Sequence, residues 1–189
     1  MDPKQELIRH YRWLRQYGLN DSHSGNASVR DGDVVWITPT GACADTLTPE
    51  QLVRCSLDTP GEGASLDAPL HLAVYRAVPG TGAVLHSHGP HTVGLTLAGD
   101  DDYVPVDFEG QYYFPRVPVI DIPYARYVAE APQRVAEALR ESVIAVVRGH
   151  GVYARAETLN LAYKWSCSLE QSARTDFVAR LGRPGPTAE

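Results

Sequence analysis

The stretch Ala83-Val84-Leu85-His86-Ser87-His88 decides the reading of this chain, because an apolar run leads into two histidines spaced two apart. Successive side chains of a strand point to opposite faces, so His86 and His88 project from the same face. That is the spacing two ligands of one metal ion require; the alternative is a pair of histidines satisfied by hydrogen bonds in a polar crevice. A further segment favours the metal. His150 stands in Arg148-Gly149-His150-Gly151, directly after the β-branched run Val143 to Val147, and its flanking glycines let the backbone approach an ion or ligand closely. Three neutral imidazoles with an open coordination position form the type of site that catalytic zinc uses to polarise an oxygen. His91 falls where a helix begins and is read as a supporting residue. His71 packs in a helix, and His10 and His23 have no metal-like setting.

Working outward, the pattern is mixed α/β. Leu7, Tyr11 and Leu14 mark an amphipathic helix over Lys4 to Gln16, stopped by Gly18. Asn26 to Arg30 and Val34 to Ile37 read as a hairpin around Asp31-Gly32-Asp33. Thr48-Pro49-Glu50-Gln51 reads as a helix start that leads into a strand over Val53 to Leu57. A helix is expected over Asp67 to Val78, closed by Pro79-Gly80, and an apolar run covers Val117 to Ile122. A helix over Tyr127 to Arg140 precedes the strand Val143 to Val147, whose hairpin partner begins at Gly151 to Ala154. Glu157 to Leu181 holds no Gly or Pro and is the clearest helix of the chain. The segment Asp107 to Phe114, DFEGQYYF, reads as a loop.

Composition bounds what such a chain can be. With 189 residues, 43% of them hydrophobic, one domain is expected over 1–181, followed by a flexible tail over 182–189. A net charge of −6 without blocks of like charge excludes a nucleic-acid or anionic-membrane surface and leaves a small-molecule substrate as the partner. Cys43, Cys55 and Cys167 are odd in number and far apart, as expected of reduced thiols in a cytoplasmic protein. No apolar run approaches the roughly 18 residues of a membrane span.

Taken in order, these segments resemble the class II aldolase/adducin family over Gly18 to about Ala179. Gly25-Asn26-Ala27-Ser28-Val29-Arg30 resembles the family's GN hairpin, and Ile37-Thr38-Pro39-Thr40-Gly41 its TPTG turn. Ser65-Leu66-Asp67-Ala68-Pro69-Leu70-His71 resembles its paired-serine helix start, Val84 to His88 its metal strand, and Arg148 to Gly151 its third-histidine turn. The resemblance implies a three-layer α/β domain with a central, mainly antiparallel sheet flanked by helices. It implies one divalent ion per subunit on His86, His88 and His150, zinc first, with manganese, cobalt or iron as alternatives. It also implies that Asp67 is the catalytic carboxylate, and that Asn26, Thr40, Gly41 and Ser65 bind the substrate's phosphate. A homotetramer with active sites at subunit interfaces follows from the same source.

The implied activity belongs to carbohydrate metabolism: a metal-dependent lyase that cleaves a C–C bond of a sugar phosphate, or of a related hydroxy-carbonyl compound, through a metal-stabilised enediolate. Three departures widen it. Leu66 replaces the second serine, no tyrosine follows Tyr163 where the family's aldolases and epimerases use one, and DFEGQYYF does not match the catalytic loop, leaving Asp107, Glu109, Tyr112 and Tyr113 as candidates for a second acid/base. The alternatives are a decarboxylase of a hydroxy acid on the same fold, then a sugar-phosphate epimerase. A non-enzymatic adducin-like scaffold is disfavoured by the three histidines.

Overall fold

A computed structural model describes residues 2–99 and 102–182. The tail expected over 182–189 therefore lies, from residue 183 on, outside the described residues. Helix α1 (Pro3–Gln16) opens the chain; Asp2 caps it by accepting the Lys4 amide, and Leu7, Tyr11 and Leu14 form its buried stripe. Strands β1 (Asn26–Asp31) and β2 (Val34–Ile37) then pair as the expected hairpin. Its two-residue turn is Gly32-Asp33, since Asp31 pairs with Val34, and Gly32 supplies the positive φ of 60°. The helix start at Thr48 makes only a 3-10 turn before β3 (Val53–Ser56).

Helix α2 (Ala68–Ala77), β4 (Ala83–Ser87), α5 (Tyr127–Glu141), β6 (Ile144–Val147) and β7 (Gly151–Ala156) follow the expected order. Helix α6 (Leu159–Leu181) starts two residues late because Thr158 is its cap, accepting the Leu161 amide. Between β4 and α5 lie α3 (Pro90–Ala98), α4 (Phe108–Tyr113) and the two-residue β5 (Val119–Ile120). Here the loop reading of DFEGQYYF is corrected: Asp107 accepts the Gly110 amide and nucleates a short helix.

The sheet order is β3-β2-β1-β4-β7-β6-β5, antiparallel throughout except for the β5/β6 pair. Helices α2 and α5 pack on one face around Leu72, Tyr75, Val135 and Leu139. Helices α1 and α6 cover the other face around Leu7, Leu14, Leu85 and Ala162. The result is the three-layer α/β domain with a mainly antiparallel sheet. No helix among the described residues is long and apolar enough to cross a membrane.

Candidate metal centre and acid/base cluster

Sheet register assembles the site. Asn26 on β1 pairs with His86 on β4, and His86 pairs with Tyr153 on β7, so three side chains from three adjacent strands stand abreast on one face. The His86 and Tyr153 rings stack, 4.1 Å apart and 2° from parallel. His88 follows two residues beyond His86, and its amide is held by Leu19 O and by Asn20 Oδ1 at 2.8 and 2.9 Å. His150 sits in the tight β6–β7 turn, where Gly149 adopts a φ of 68° and the His150 amide returns to Val147 O. Its neighbour Arg148 anchors that turn through Asp121 and the Thr96 and Gly99 carbonyls.

These elements bring three imidazole nitrogens together. His86 Nε2 lies 2.9 Å from His88 Nε2 and 3.1 Å from His150 Nε2. The three side chains form a group able to hold a metal ion. A tetrahedral zinc site places its nitrogens about 3.3 Å apart for bonds near 2.0–2.1 Å, so this spacing is within a few tenths of an ångström of the requirement. The chemistry of the donors fits as well. His86 Nδ1 lies 3.0 Å from Val152 O, a carbonyl that only accepts; the ring proton therefore sits on Nδ1 and the Nε2 lone pair faces the centre. Burial holds all three imidazoles below the usual histidine range, His86 well below it and His88 down to about 4, so they are uncharged at neutral pH. With the His88 and His150 protons also on Nδ1, the three Nε2 atoms would offer one cation three lone pairs.

Asp67 occupies the cap position of α2, yet its carboxylate makes no capping bond. It turns instead toward the sheet, with Oδ2 3.8 Å from His86 Nε2. Asn26 Nδ2 and the Tyr153 hydroxyl donate to Oδ2, each at 2.9 Å, and the Tyr127 hydroxyl donates to Oδ1 at 2.7 Å. The two phenol oxygens are also in short contact with each other. Burial opposes ionisation of Asp67, but His86 and the donors Asn26 and Tyr127 outweigh it, and the carboxyl falls to about 2. Since His86 is uncharged at pH 7, the donated hydrogen bonds are what keep the carboxylate ionised there. Burial, reinforced by the Asp67 charge, pushes both phenols up, so they remain protonated.

A cleft of about 210 Å³ opens over this cluster, and Asn26, Thr40, Gly41, Ser65, Asp67 and the three histidines all line it. The metal, catalytic and anion-binding residues expected from the sequence thus meet in one place. The amides of Thr40 and Ser65 bond to Gly63 O and Thr38 O, so on these two residues an anion is left with the side chains rather than the backbone N–H groups expected of the turns. Ser65 Oγ accepts the Asp67 amide and keeps its own hydrogen to donate. Leu66 stands 64% exposed at the rim. His91 is separate: its Nδ1 bonds Glu170 at 2.7 Å, and the same carboxylate takes the His91 and Thr92 amides at the start of α3. Asp107 caps α4 and does not line the cleft, and neither do Glu109, Tyr112 and Tyr113.

Sequence reading missed Tyr127 and Tyr153. They lie 60 and 86 residues from Asp67, and only the β4–β7 register and the start of α5 bring them to it.

The domain is thus of a three-layer α/β class that carries a three-histidine cluster beside a buried carboxylate. The family model of the Class II Aldolase and Adducin N-terminal domain matches residues 5–177, and the chain belongs to this family. Among solved structures it is similar to L-fuculose-1-phosphate aldolase from Thermus thermophilus, with a TM-score of 0.87 and 35% identity over 96% of this chain and 97% of that one. It is 26% identical to the L-fuculose phosphate aldolase of Methanococcus maripaludis over 92% of this chain and 95% of that protein. It is 29% identical to the 3-oxo-tetronate 4-phosphate decarboxylase of Escherichia coli K12 over 93% of this chain and 86% of that protein.

Proposed function

We propose that the chain is a metal-dependent aldehyde-lyase of class II aldolase type, breaking a C–C bond of a sugar phosphate or related hydroxy-carbonyl compound. The observation that carries this reading is the convergence of three uncharged imidazole nitrogens beside the ionised Asp67. His86, His88 and His150 would hold one divalent ion per subunit. Zinc is the first choice, because neutral imidazoles suit it, ahead of manganese, cobalt and iron. When bound, the ion supplies Lewis acidity toward the carbonyl and hydroxyl oxygens of the substrate.

The chain's own residues do the rest. Asn26, Thr40, Gly41 and Ser65 hold the anionic end of the substrate, with hydroxyl and amide donors in place of a basic side chain, since no Lys or Arg lines the cleft among the described residues. Asn26 Oδ1 is buried without a partner among the described residues and offers an acceptor to a substrate hydroxyl. Asp67 carries the proton that leaves the hydroxyl oxygen as the C–C bond breaks and that returns to carbon afterwards. The cleft volume suits a metabolite of a few carbons.

Decarboxylation of a hydroxy acid is the second reading. Leu66 removes one hydroxyl from the anion turn, and the similarity to the 3-oxo-tetronate 4-phosphate decarboxylase spans most of both chains. The enzyme is proposed to act in the cytoplasm, consistent with the unpaired thiols of Cys43, Cys55 and Cys167, and as a homotetramer with sites at the interfaces.

Elemental analysis and a product screen test this function together. Purified protein is expected to carry close to one divalent ion per chain, and metal-loaded protein should release aldehyde from sugar phosphates. Release of carbon dioxide from hydroxy acids instead selects the second reading. Protein that binds no divalent ion and liberates neither product overturns both.

A further inference from the structure

Asp67 is 7% exposed, and both its oxygens are engaged: Oδ2 by Asn26 and Tyr153 and, among the described residues, Oδ1 by Tyr127 alone. Asp67 and Tyr127 both line the cleft, and the Tyr127 hydroxyl stands on Oδ1, so a substrate group that approaches this oxygen meets the phenol there. Tyr153 is fully buried beneath the His86 ring. Tyr127 lines the cleft, and its ring leans on His150 with centroids 4.5 Å apart. Only one of the two phenols thus faces both the carboxylate and the space where a substrate sits.

From this geometry we infer that Tyr127 is the residue that exchanges the proton with the substrate, while Asp67 acts one bond further back as the store from which Tyr127 is supplied. The inference rests on the lyase reading above. In the cleavage direction the O–H bond of the substrate hydroxyl breaks and its electron pair closes the aldehyde C=O, while the C–C pair stays on the carbon beside the carbonyl. The released proton goes to the Tyr127 oxygen as the phenol's own proton passes along the 2.7 Å bond to Asp67 Oδ1. Reversal of the same two transfers then delivers a proton from Tyr127 to that carbon and restores the carboxylate. One proton moves from oxygen to carbon, and no electron enters or leaves. Tyr153 and Asn26 hold Oδ2, which leaves Oδ1 as the oxygen that cycles.

The two phenols provide their own control, because Tyr127→Phe and Tyr153→Phe each remove one hydroxyl and one bond to Asp67. On metal-loaded protein, Tyr127→Phe is expected to lower kcat by about 100-fold or more, with KM within about threefold of wild type. Its metal content and Tm should be unchanged. Tyr153→Phe should cost less than about tenfold in kcat, because its hydroxyl orients and does not transfer. Equal losses in the two variants, or wild-type kcat in Tyr127→Phe, overturn the relay while leaving the lyase reading intact. A Tyr127→Phe protein that loses metal or melts more than about 5 °C lower also overturns it, since the hydroxyl would then be structural. A wild-type protein that turns over nothing removes the lyase reading, and the relay with it.

Discussion

At the scale of single residues, the site depends on imidazoles that stay neutral and on a carboxylate that stays charged. His88 supplies one of three converging nitrogens, so His88→Ala is expected to abolish metal binding and activity, read by elemental analysis and turnover. Asp67→Asn should abolish turnover and keep the metal, because the amide fills the same space next to Asn26 and the two phenols. His71 carries a consequence for stability rather than for catalysis. It is fully buried against Ser28, 2.7 Å from the hydroxyl, and burial pushes its pKa down to about 4 despite the opposing pull of Asp67. The unfolded chain binds a proton here near pH 6.5, whereas the folded chain resists it until about pH 4. His71 therefore contributes its full share above pH 6.5 and loses it as pH falls toward 4, a change of about 3 kcal/mol. Urea unfolding of wild type and His71→Gln, each at pH 7 and pH 4.5, should show a shallower pH dependence in the variant. Parallel curves would remove His71 from the acid response.

At the scale of elements, the strands carry the site and the helices close it. Strand β4 shows why so much was legible in sequence: a buried apolar run leading into two histidines reads as a strand, and alternation then fixes which side chains share a face. Asn26, Asp67, His86, His88 and His150, which line one cleft, could be singled out because each sits in a short motif whose neighbours explain it. Tyr127 and Tyr153 were not, because a tyrosine at the start of a helix or inside a short strand reads as packing until the fold brings it to Asp67, Tyr153 by its register opposite His86. Helix α4 was missed for a local reason, since Gly110 interrupts six residues that only the Asp107 cap turns into a helix. Gly151, at the first position of β7, offers a test of how tightly the strands set the metal site. A Cβ there would lie 2.5 Å from His88 Cδ2 and 2.8 Å from His86 Cε1, forcing the two rings to move. Gly151→Ala is expected to weaken divalent-ion affinity by about 10-fold or more, measured by competition with a chromophoric chelator. Unchanged affinity would mean that the rings are free to shift without loss.

At the scale of the whole molecule, the domain buries its site on the α2/α5 side of the sheet while leaving apolar surface on the far ends of α3 and α6. Leu97, Phe177, Val178 and Leu181 are 61%, 42%, 59% and 70% exposed, and Phe177 and Leu181 line a groove with Pro90, Leu95 and Ala98. Single exposed apolar residues are ordinary, but a contiguous set at the meeting of two helices is the surface that association covers. This strip is expected to lie in the interface of the proposed homotetramer. Light scattering on the purified protein should then give four times the 20.7 kDa chain mass. Leu181→Glu, at the end of α6 and clear of the cleft, should shift the population toward monomer while leaving the far-ultraviolet circular dichroism unchanged. If subunits complete one another's sites, turnover should fall in proportion to the tetramer lost and recover at higher protein concentration by mass action. A wild-type protein that scatters as a single chain and turns over at full rate would place the whole site within one subunit, and the apolar strip would then need another partner.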